Sequence, residues 1–334
     1  MDAARVPSCR LCIALRTLLT TGGKTPTTHI EDITRCFNAA HDDGFWLDIE
    51  APDQSDYDLL EHTFKFHPLT IEDIQHQNQR PKVDEYTDYN FTVIFVAIWD
   101  GEDVAMREQH LFVGEHYLIT VHQEPSTQLK ELQERIQKSP ELTKGKPAFL
   151  TYMAIDALVD ASFPVLDKLD DEVDALEDEI TDKATEEQLG RIYHLKHTVT
   201  ELRRFLGAQR DVFQALITHG IHLQQQDMTL YYRDVYDHIV RQYETADSLR
   251  DLLTGAMDVY LSTVSNRLNQ TTKTLTVIAS LFLPLSFLTG FFGMNFSYLI
   301  NILESPYIAF AVGVATMIVA TLIQLWLFRR RGWI

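Results

Sequence analysis

Apolar residues are unevenly distributed along this chain, and the unevenness sets the first expectations. From Leu275 to Met294 the sequence reads LTVIASLFLPLSFLTGFFGM, and from Tyr307 to Phe328 it reads YIAFAVGVATMIVATLIQLWLF; neither run holds a charged side chain. As a helix rising 1.5 Å per residue, each is long enough to cross a hydrocarbon core of about 30 Å. Two such runs in close succession predict a pair of transmembrane helices rather than two buried core helices. Near the start, LCIALRTLL is short and interrupted by Arg16, which predicts a strand rather than a signal segment. Arg267 and Lys273 precede the first run, Arg329, Arg330 and Arg331 follow the second, and Asn295 to Pro306 carries no Lys or Arg. The excess of positive charge on the cytoplasmic side then puts both termini in the cytoplasm and the short loop outside.

The first 125 residues read as mixed strand and helix. FWLDI at Phe45–Ile49 is a short strand, and Asp53 to Phe64 has helical spacing. Pro68 opens a short helix through Ile74. YNFTVIFVAIW at Tyr89–Trp99 is almost wholly apolar, as a strand buried on both faces should be. Asp100-Gly101-Glu102-Asp103 is a turn, and His110–Val113 and His116–His122 continue the sheet around Gly114. Beyond Pro125 the pattern becomes helical: Thr127–Lys138, one helix from Ala148 to about Thr181, and Glu186–His219. The expected fold class is an α+β cytoplasmic domain followed by long helices and two C-terminal transmembrane helices. The expected divisions are 1–125, a helical region 126–272 and a membrane region 273–334, with spans near 274–294 and 307–328, a loop 295–306 and a basic end 329–334.

Between Asp227 and Pro284 only Gly255 interrupts helical sequence, so a single helix is expected from about Leu230 through the membrane to Gly293. Such a helix is roughly 95 Å long. Stepping along it by alternating threes and fours gives Gly255, Asp258, Ser262, Ser265, Asn269, Thr272, Thr276, Ala279, Leu283, Ser286, Gly290 and Gly293. Only Leu283 in that series is large and apolar, whereas the seam of a tight coiled coil is built from Leu, Ile and Val. Two readings stand: close packing of helices through small residues, or the wall of a water-filled pore made by parallel copies. Continuation of the polar stripe far below the apolar run favours the pore. Val277, Ile278, Leu281, Phe282, Leu285, Leu288 and Phe292 are then expected to meet lipid. Two helices cannot enclose a pore, so a conducting protein of this kind must oligomerise.

Charge narrows the classes of partner. Lys and Arg number 29 against 48 Asp and Glu, a net charge of −19. No nucleic-acid partner is expected, since phosphate binding needs a basic face; cations are attracted instead. Eleven acids between Asp167 and Glu187 face only Lys168 and Lys183, which reads as a solvated helix face. Three cysteines make no disulfide framework, and Cys9-Arg10-Leu11-Cys12 is a lone pair of thiols on a strand. His194 with His197, and His219 with His222, have the i,i+3 spacing of helical metal ligands, although surface histidines are commoner. Gly22-Gly23-Lys24-Thr25 lacks the upstream Gly of a phosphate-binding loop, so no ATP coupling and no catalytic residues are expected.

Gly293-Met294-Asn295, closing a first span and followed by a short loop and a second span, resembles the CorA family of divalent-cation channels. Tyr232 to His238, Met257 to Ser262 and Ser265-Asn266 are similar to that family's long helix. His67 to Ile74 and Gln79-Arg80-Pro81-Lys82 are similar to its N-terminal domain, and Arg329-Arg330-Arg331-Gly332-Trp333 to its basic end. The resemblance implies a funnel-shaped homopentamer in the cell's inner (plasma) membrane, with the first span lining the pore and the Gly-Met-Asn loop at its outer mouth. It implies Mg²⁺ as substrate and regulator, with Zn²⁺, Co²⁺ or Ni²⁺ as alternatives, and membrane lipid as surroundings. Gly293, Met294 and Asn295 would form the entrance. Asp258, Asn269, Thr272, Leu275, Ala279, Leu283, Ser286 and Gly290 would line the pore, with Leu275 and Leu283 as apolar constrictions. Glu72 and Asp73 would hold regulatory Mg²⁺ together with Asp234 of a neighbouring subunit, and the acidic helices would hold cytoplasmic cations.

Three positions depart from the family pattern. Phe292 stands where magnesium-selective relatives usually have Tyr, Leu283 where Met is frequent, and the loop Phe296 to Asn301 lacks the usual acidic, Pro-containing stretch. A zinc-transporting, ZntB-like branch also carries Phe before its motif. These departures leave the choice of metal open.

Overall fold

The computed structural model describes residues 15–20, 33, 34, 37, 44–77, 79–101, 103–139, 142, 147–219, 228–294 and 306–333. Expectations that fall on Cys9, Cys12, Gly22–Thr25, His222, Asn295 and the loop 296–305 lie outside them. The chain divides into two compact units, Met1–Asp178 with Glu187–Ala256, and Glu179–Glu186 with Met257–Ile334.

The first unit is built on a six-stranded sheet. Its strands are β1 (Leu15–Thr20), β2 (Phe45–Glu50), β3 (Lys82–Glu85), β4 (Tyr89–Asp100), β5 (Asp103–Gly114) and β6 (Tyr117–His122). They lie in the order β1-β2-β6-β5-β4-β3, with β2 and β6 parallel and the other neighbours antiparallel. β4 is buried from Tyr89 through Ala97, as its unbroken apolar sequence requires. One face of the sheet carries Phe45, Leu47, Phe91 and Phe112 against Leu59, Leu60, Phe66 and Ile74. Those partners come from the π-turn Leu59–Thr63, which follows α1 (Gln54–Asp58), from α2 (Pro68–His76) and from the segment linking the two. The other face carries Trp46, Ile94, Val96, Leu111 and Leu118. It packs on α3 (Thr127–Lys138), α4 (Pro147–Asp160), α6 (Glu186–His219) and the start of α7 (Thr229–Phe292).

Two elements differ from the sequence expectation. The helix expected over Ala148–Thr181 is two helices, α4 and α5 (Phe163–Asp182). Pro164 has no N–H to give the carbonyl four residues back and its ring crowds that carbonyl, which favours a break before it. The freed Ser162 is used: β3 covers β4 only from Asn90 to Val93, and the next outward N–H groups of β4 would be bare. The Phe95 amide donates to Gln209 Oε1 (2.9 Å) and the Ala97 amide to Ser162 Oγ (3.1 Å), which meets the requirement that buried backbone donors be paired. The second difference is strand content. β3, with one apolar residue in four, and the first half of β5 are strands because β4 supplies their ladder.

A buried ion pair ties β2, β6 and α3 together. Asp48 accepts from Thr120 Oγ1, from Gln133 Nε2 (2.8 Å) and from His122 Nε2 (3.1 Å), and His122 Nδ1 meets the Glu124 carbonyl at 2.6 Å. Both ring nitrogens face acceptors, so the charged imidazolium satisfies both at once. Burial alone would lower the His122 pKa. The hydrogen bond and charge of Asp48, the Glu124 carbonyl and the charge of Glu50 outweigh it and hold the pKa above the ordinary histidine value. The stabilisation is therefore complete below the unfolded pKa of about 6.5 and is lost as pH rises through the raised folded value. His122→Gln leaves Asp48 without its cation and is expected to cost about 3 kcal/mol at pH 6. The gap in thermal midpoint between variant and wild type should shrink by pH 9; a gap independent of pH would remove the imidazolium assignment.

In the second unit α7 continues to Phe292, as one 64-residue helix from Thr229 with Pro284 inside it. It is followed among the described residues by α8 (Pro306–Arg330). Among the described residues, three stretches are long and apolar enough to cross a membrane. Ala148–Asp182 has 56% of its apolar window buried inside the structure, against 6% for those of α7 and α8. The first is thus a core segment of the sheet unit, and the other two present their apolar surface outward, as spans do.

Candidate ion path and metal centre

The polar series along α7 lies open. Asp258, Ser262, Ser265, Asn269, Thr272, Thr276, Ala279, Ser286 and Gly290 are all exposed in the single chain, as are Leu275 and Leu283. The Thr276 hydroxyl donates to the Thr272 carbonyl at 2.8 Å, so it turns acceptor lone pairs outward. α7 closes with Gly293 and Met294 bonded back to Thr289 and Phe291, and Met294 is exposed.

A second stripe of the same helix is turned to α8. Lys273 Nζ donates to the Gly332 carbonyl (2.9 Å), and the Ser280 carbonyl accepts from Gln324 Nε2 (2.9 Å). A Cβ placed on Gly313 would meet the Phe292 ring at 3.6 Å. Val277, Leu281, Leu285, Leu288 and Phe292, expected to meet lipid, are buried or half-buried along this stripe; Ile278 and Phe282 are exposed. The apolar residues of an uncharged helix look alike in sequence, and only the position of the second helix separates those that touch it. Phe292 consequently packs on α8, so its departure from the family's Tyr bears on that packing.

The expected regulatory residues have different partners within the chain. α2 begins at Pro68, with His67 Nδ1 accepting from the Leu69 amide (3.2 Å). That places Glu72 on an exposed face and Asp73 one residue on, where Asp73 Oδ2 takes Lys82 Nζ at 2.7 Å. Asp234, on an exposed face of α7, accepts from Tyr152 Oη at 3.2 Å.

Beside Asp234 the structure assembles residues that the sequence reading passed over. Asp156 and Asp160, four apart on α4, and His238, four beyond Asp234 on α7, bring three ligand atoms within 4.8 Å of one another. His238 Nδ1 is 2.7 Å from Asp160 Oδ1 and 3.7 Å from Asp156 Oδ1. Burial, then the charge of Asp160, push the Asp156 carboxyl up to about 6, against the pull of His238 and Arg135. Both aspartates border a cavity of about 780 Å³ lined also by Arg135, Phe149, Tyr152 and Tyr231. Two carboxylates and an imidazole form a donor set for a divalent ion. The available signal was a pair of aspartates spaced i,i+4 inside the apolar stretch AIDALVDAS.

The other candidates are weaker. Asp167, Asp170, Asp171, Asp174 and Asp178 are exposed on α5; partial burial, then Asp174, Asp171 and Asp167, raise the Asp170 pKa. His194 Nε2 lies 3.4 Å from Asp103. His197 shares a depression with Lys196, Glu201 and Arg204, and Glu201 lies 3.8 Å from the Arg204 guanidinium.

The family model described as "CorA-like Mg2+ transporter protein" matches residues 42–330. The cobalt/magnesium transport protein CorA of Thermotoga maritima is 33% identical over 293 residues, spanning 86% of this chain and 83% of its own. The solved structure of the CorA magnesium transporter from Methanocaldococcus jannaschii superposes with a TM-score of 0.76 at 24% identity, covering 87% of this chain and 92% of the other. The full-length CmaX protein gives 0.73 at 19% identity, covering 95% and 97%. At these identities the two solved structures establish the shared fold.

Proposed function

We propose, given that this chain belongs to the CorA-like Mg²⁺ transporter family, that it carries hydrated divalent cations into the cytoplasm through a pore lined by α7. The observation that supports this most is the open face of α7, which is small or polar from Asp258 to Gly290 except at Leu275 and Leu283, while the same helix becomes apolar elsewhere. A homopentamer would turn five such faces inward. In this reading residues 1–272 are cytoplasmic, 273–334 form the membrane region in the cell's plasma membrane, both termini lie on the cytoplasmic side, and Asn295 sits at the outer mouth. Asn269 would form a second amide ring, and Leu275 and Leu283 would close by dewetting. A membrane potential supplies about 4.6 kcal/mol per divalent ion per 100 mV, so no further energy source is needed.

Cytoplasmic Mg²⁺ would regulate the pore by bridging Glu72 and Asp73 of one subunit to Asp234 of the next. Asp156, Asp160 and His238 extend that site on the Asp234 side. Carboxylates brought close without a cation repel one another, so loss of the ion would loosen the ring.

The loop after Asn295 offers only Glu304 as an acid, which leaves capture to neutral oxygens that distinguish poorly among hydrated ions of similar size. Zn²⁺, Co²⁺ or Ni²⁺ are therefore expected to permeate alongside Mg²⁺. Flux into liposomes holding the purified full chain, with each ion at equal concentration, tests both points. No flux of any ion would sink the transport reading. Mg²⁺ entry with all three transition metals excluded would show that selectivity does not need an acidic loop.

A further inference from the structure

The first span contains Pro284, and its consequence falls on one identifiable atom. A proline has no N–H, so the carbonyl four residues earlier loses its partner in the helix. That carbonyl belongs to Ser280. In a hydrocarbon core an unpaired carbonyl has no water to turn to, and a neighbouring helix must supply a donor. Gln324, a lone amide in the middle of the apolar α8 sequence TLIQLWLF, donates from Nε2 to the Ser280 carbonyl at 2.9 Å. Its own Oε1 is buried without a partner. The amide is thus placed for its donor, and the placement answers the donor that Pro284 lacks.

The geometry points to Gln324 as a positioning residue of the ion path, a latch that replaces the missing hydrogen bond of Pro284 and sets how the first span bends there. Pro284 is a hinge by its chemistry, because a helix kinks where its ladder is interrupted. It adjoins Leu283, and the residues beyond it lead to Gly293 and the outer mouth. While the latch is made, the Ser280 carbonyl is satisfied with α7 seated against α8. When it is broken, that carbonyl must find another donor, and the favoured route is a change of bend at the hinge. Gln324 touches no ion in this arrangement and acts through Ser280.

Pro284→Ala supplies the prediction that separates a latch from ordinary packing. It restores an N–H to bond Ser280 within the helix, and Gln324 then has nothing to replace. Gln324→Met, of equal length but without a donor, is expected to shift the half-inhibiting cytoplasmic Mg²⁺ concentration in liposome flux by about threefold, the scale of one intramembrane hydrogen bond. In the Pro284→Ala background the same change should shift it by less than half as much in logarithmic terms. The double-mutant cycle is repeated on the thermal midpoint of the assembled protein in detergent, which needs no transport. This inference rests on the transport reading for its first readout only. Absence of wild-type flux would overturn that reading, while the thermal cycle would still judge the latch. Equal effects of Gln324→Met with and without Pro284, or no effect in either, would overturn the latch. If Gln324→Met does not assemble, Gln324→Asn, which keeps the amide on a stem too short to reach Ser280, takes its place in both cycles.

Discussion

Asn295→Ala is expected to reduce divalent-cation flux at least about a hundredfold while leaving the oligomer intact. Mg²⁺ surrenders its bound water reluctantly, so an entrance that works quickly must hold the hydrated ion. A neutral amide oxygen accepts hydrogen bonds from those waters without the strong attraction that would trap the ion at a carboxylate ring. Hydrogen bonds of this kind contribute about 1 kcal/mol each. Several made together by the proposed ring amount to about 3 kcal/mol, or two orders of magnitude in occupancy. Asn295→Gln keeps the amide but displaces it by one methylene, and an intermediate flux is expected. The measurement is initial flux into liposomes, with assembly checked by size in detergent. Near-normal transport by the alanine variant would remove Asn295 from the entrance.

Replacing both Asp73 and Asp234 by Ala should abolish protection of the protein by Mg²⁺. A ligand that binds only the assembled state stabilises it by mass action, by about 2.7 kcal/mol at a hundred times its dissociation constant. Wild-type protein should therefore resist a protease at least about tenfold longer in saturating Mg²⁺ than in chelator, and the double variant less than about twofold. The structure adds a second arm to this experiment. Asp156→Asn with His238→Gln leaves Asp73 and Asp234 in place but dismantles the three-residue donor set beside Asp234. Partial loss of protection is expected, because the two groups share one ion-binding region in the proposed reading. Protection unchanged in the first variant would show that Asp73 and Asp234 are not the sensor. Protection unchanged there but lost in the second would place the sensor wholly at α4 and α7.

Much of the architecture was legible because local chemistry dictates it. Pro68 with His67 before it, the apolar run at Tyr89–Trp99 and the unbroken helical stretch after Thr229 each carry their own signal. The small and polar face of α7 was equally legible, since a helical period can be stepped through without knowing what lies opposite. Where the sequence reading failed, the deciding partner was distant along the chain. β3 is a strand because β4 offers it a ladder, and its four residues alone do not say so. The Ser162 break follows partly from Pro164, a local signal, and partly from the bare edge of β4 that Ser162 serves.

The site divides along the same line. The sequence by itself determined the family, the two long apolar runs, the polar stripe and the Gly293-Met294-Asn295 motif, all written in contiguous or strictly periodic residues. Only the tertiary structure decided that Asp156, Asp160 and His238 converge, that Phe292 lies on Gly313 and that Gln324 meets the Ser280 carbonyl. Periodicity assigns a residue to a face of its own helix, but it carries no information on the rotation of that helix against a neighbour. Convergence of side chains from two helices is fixed by that rotation, which the packing of the whole unit sets.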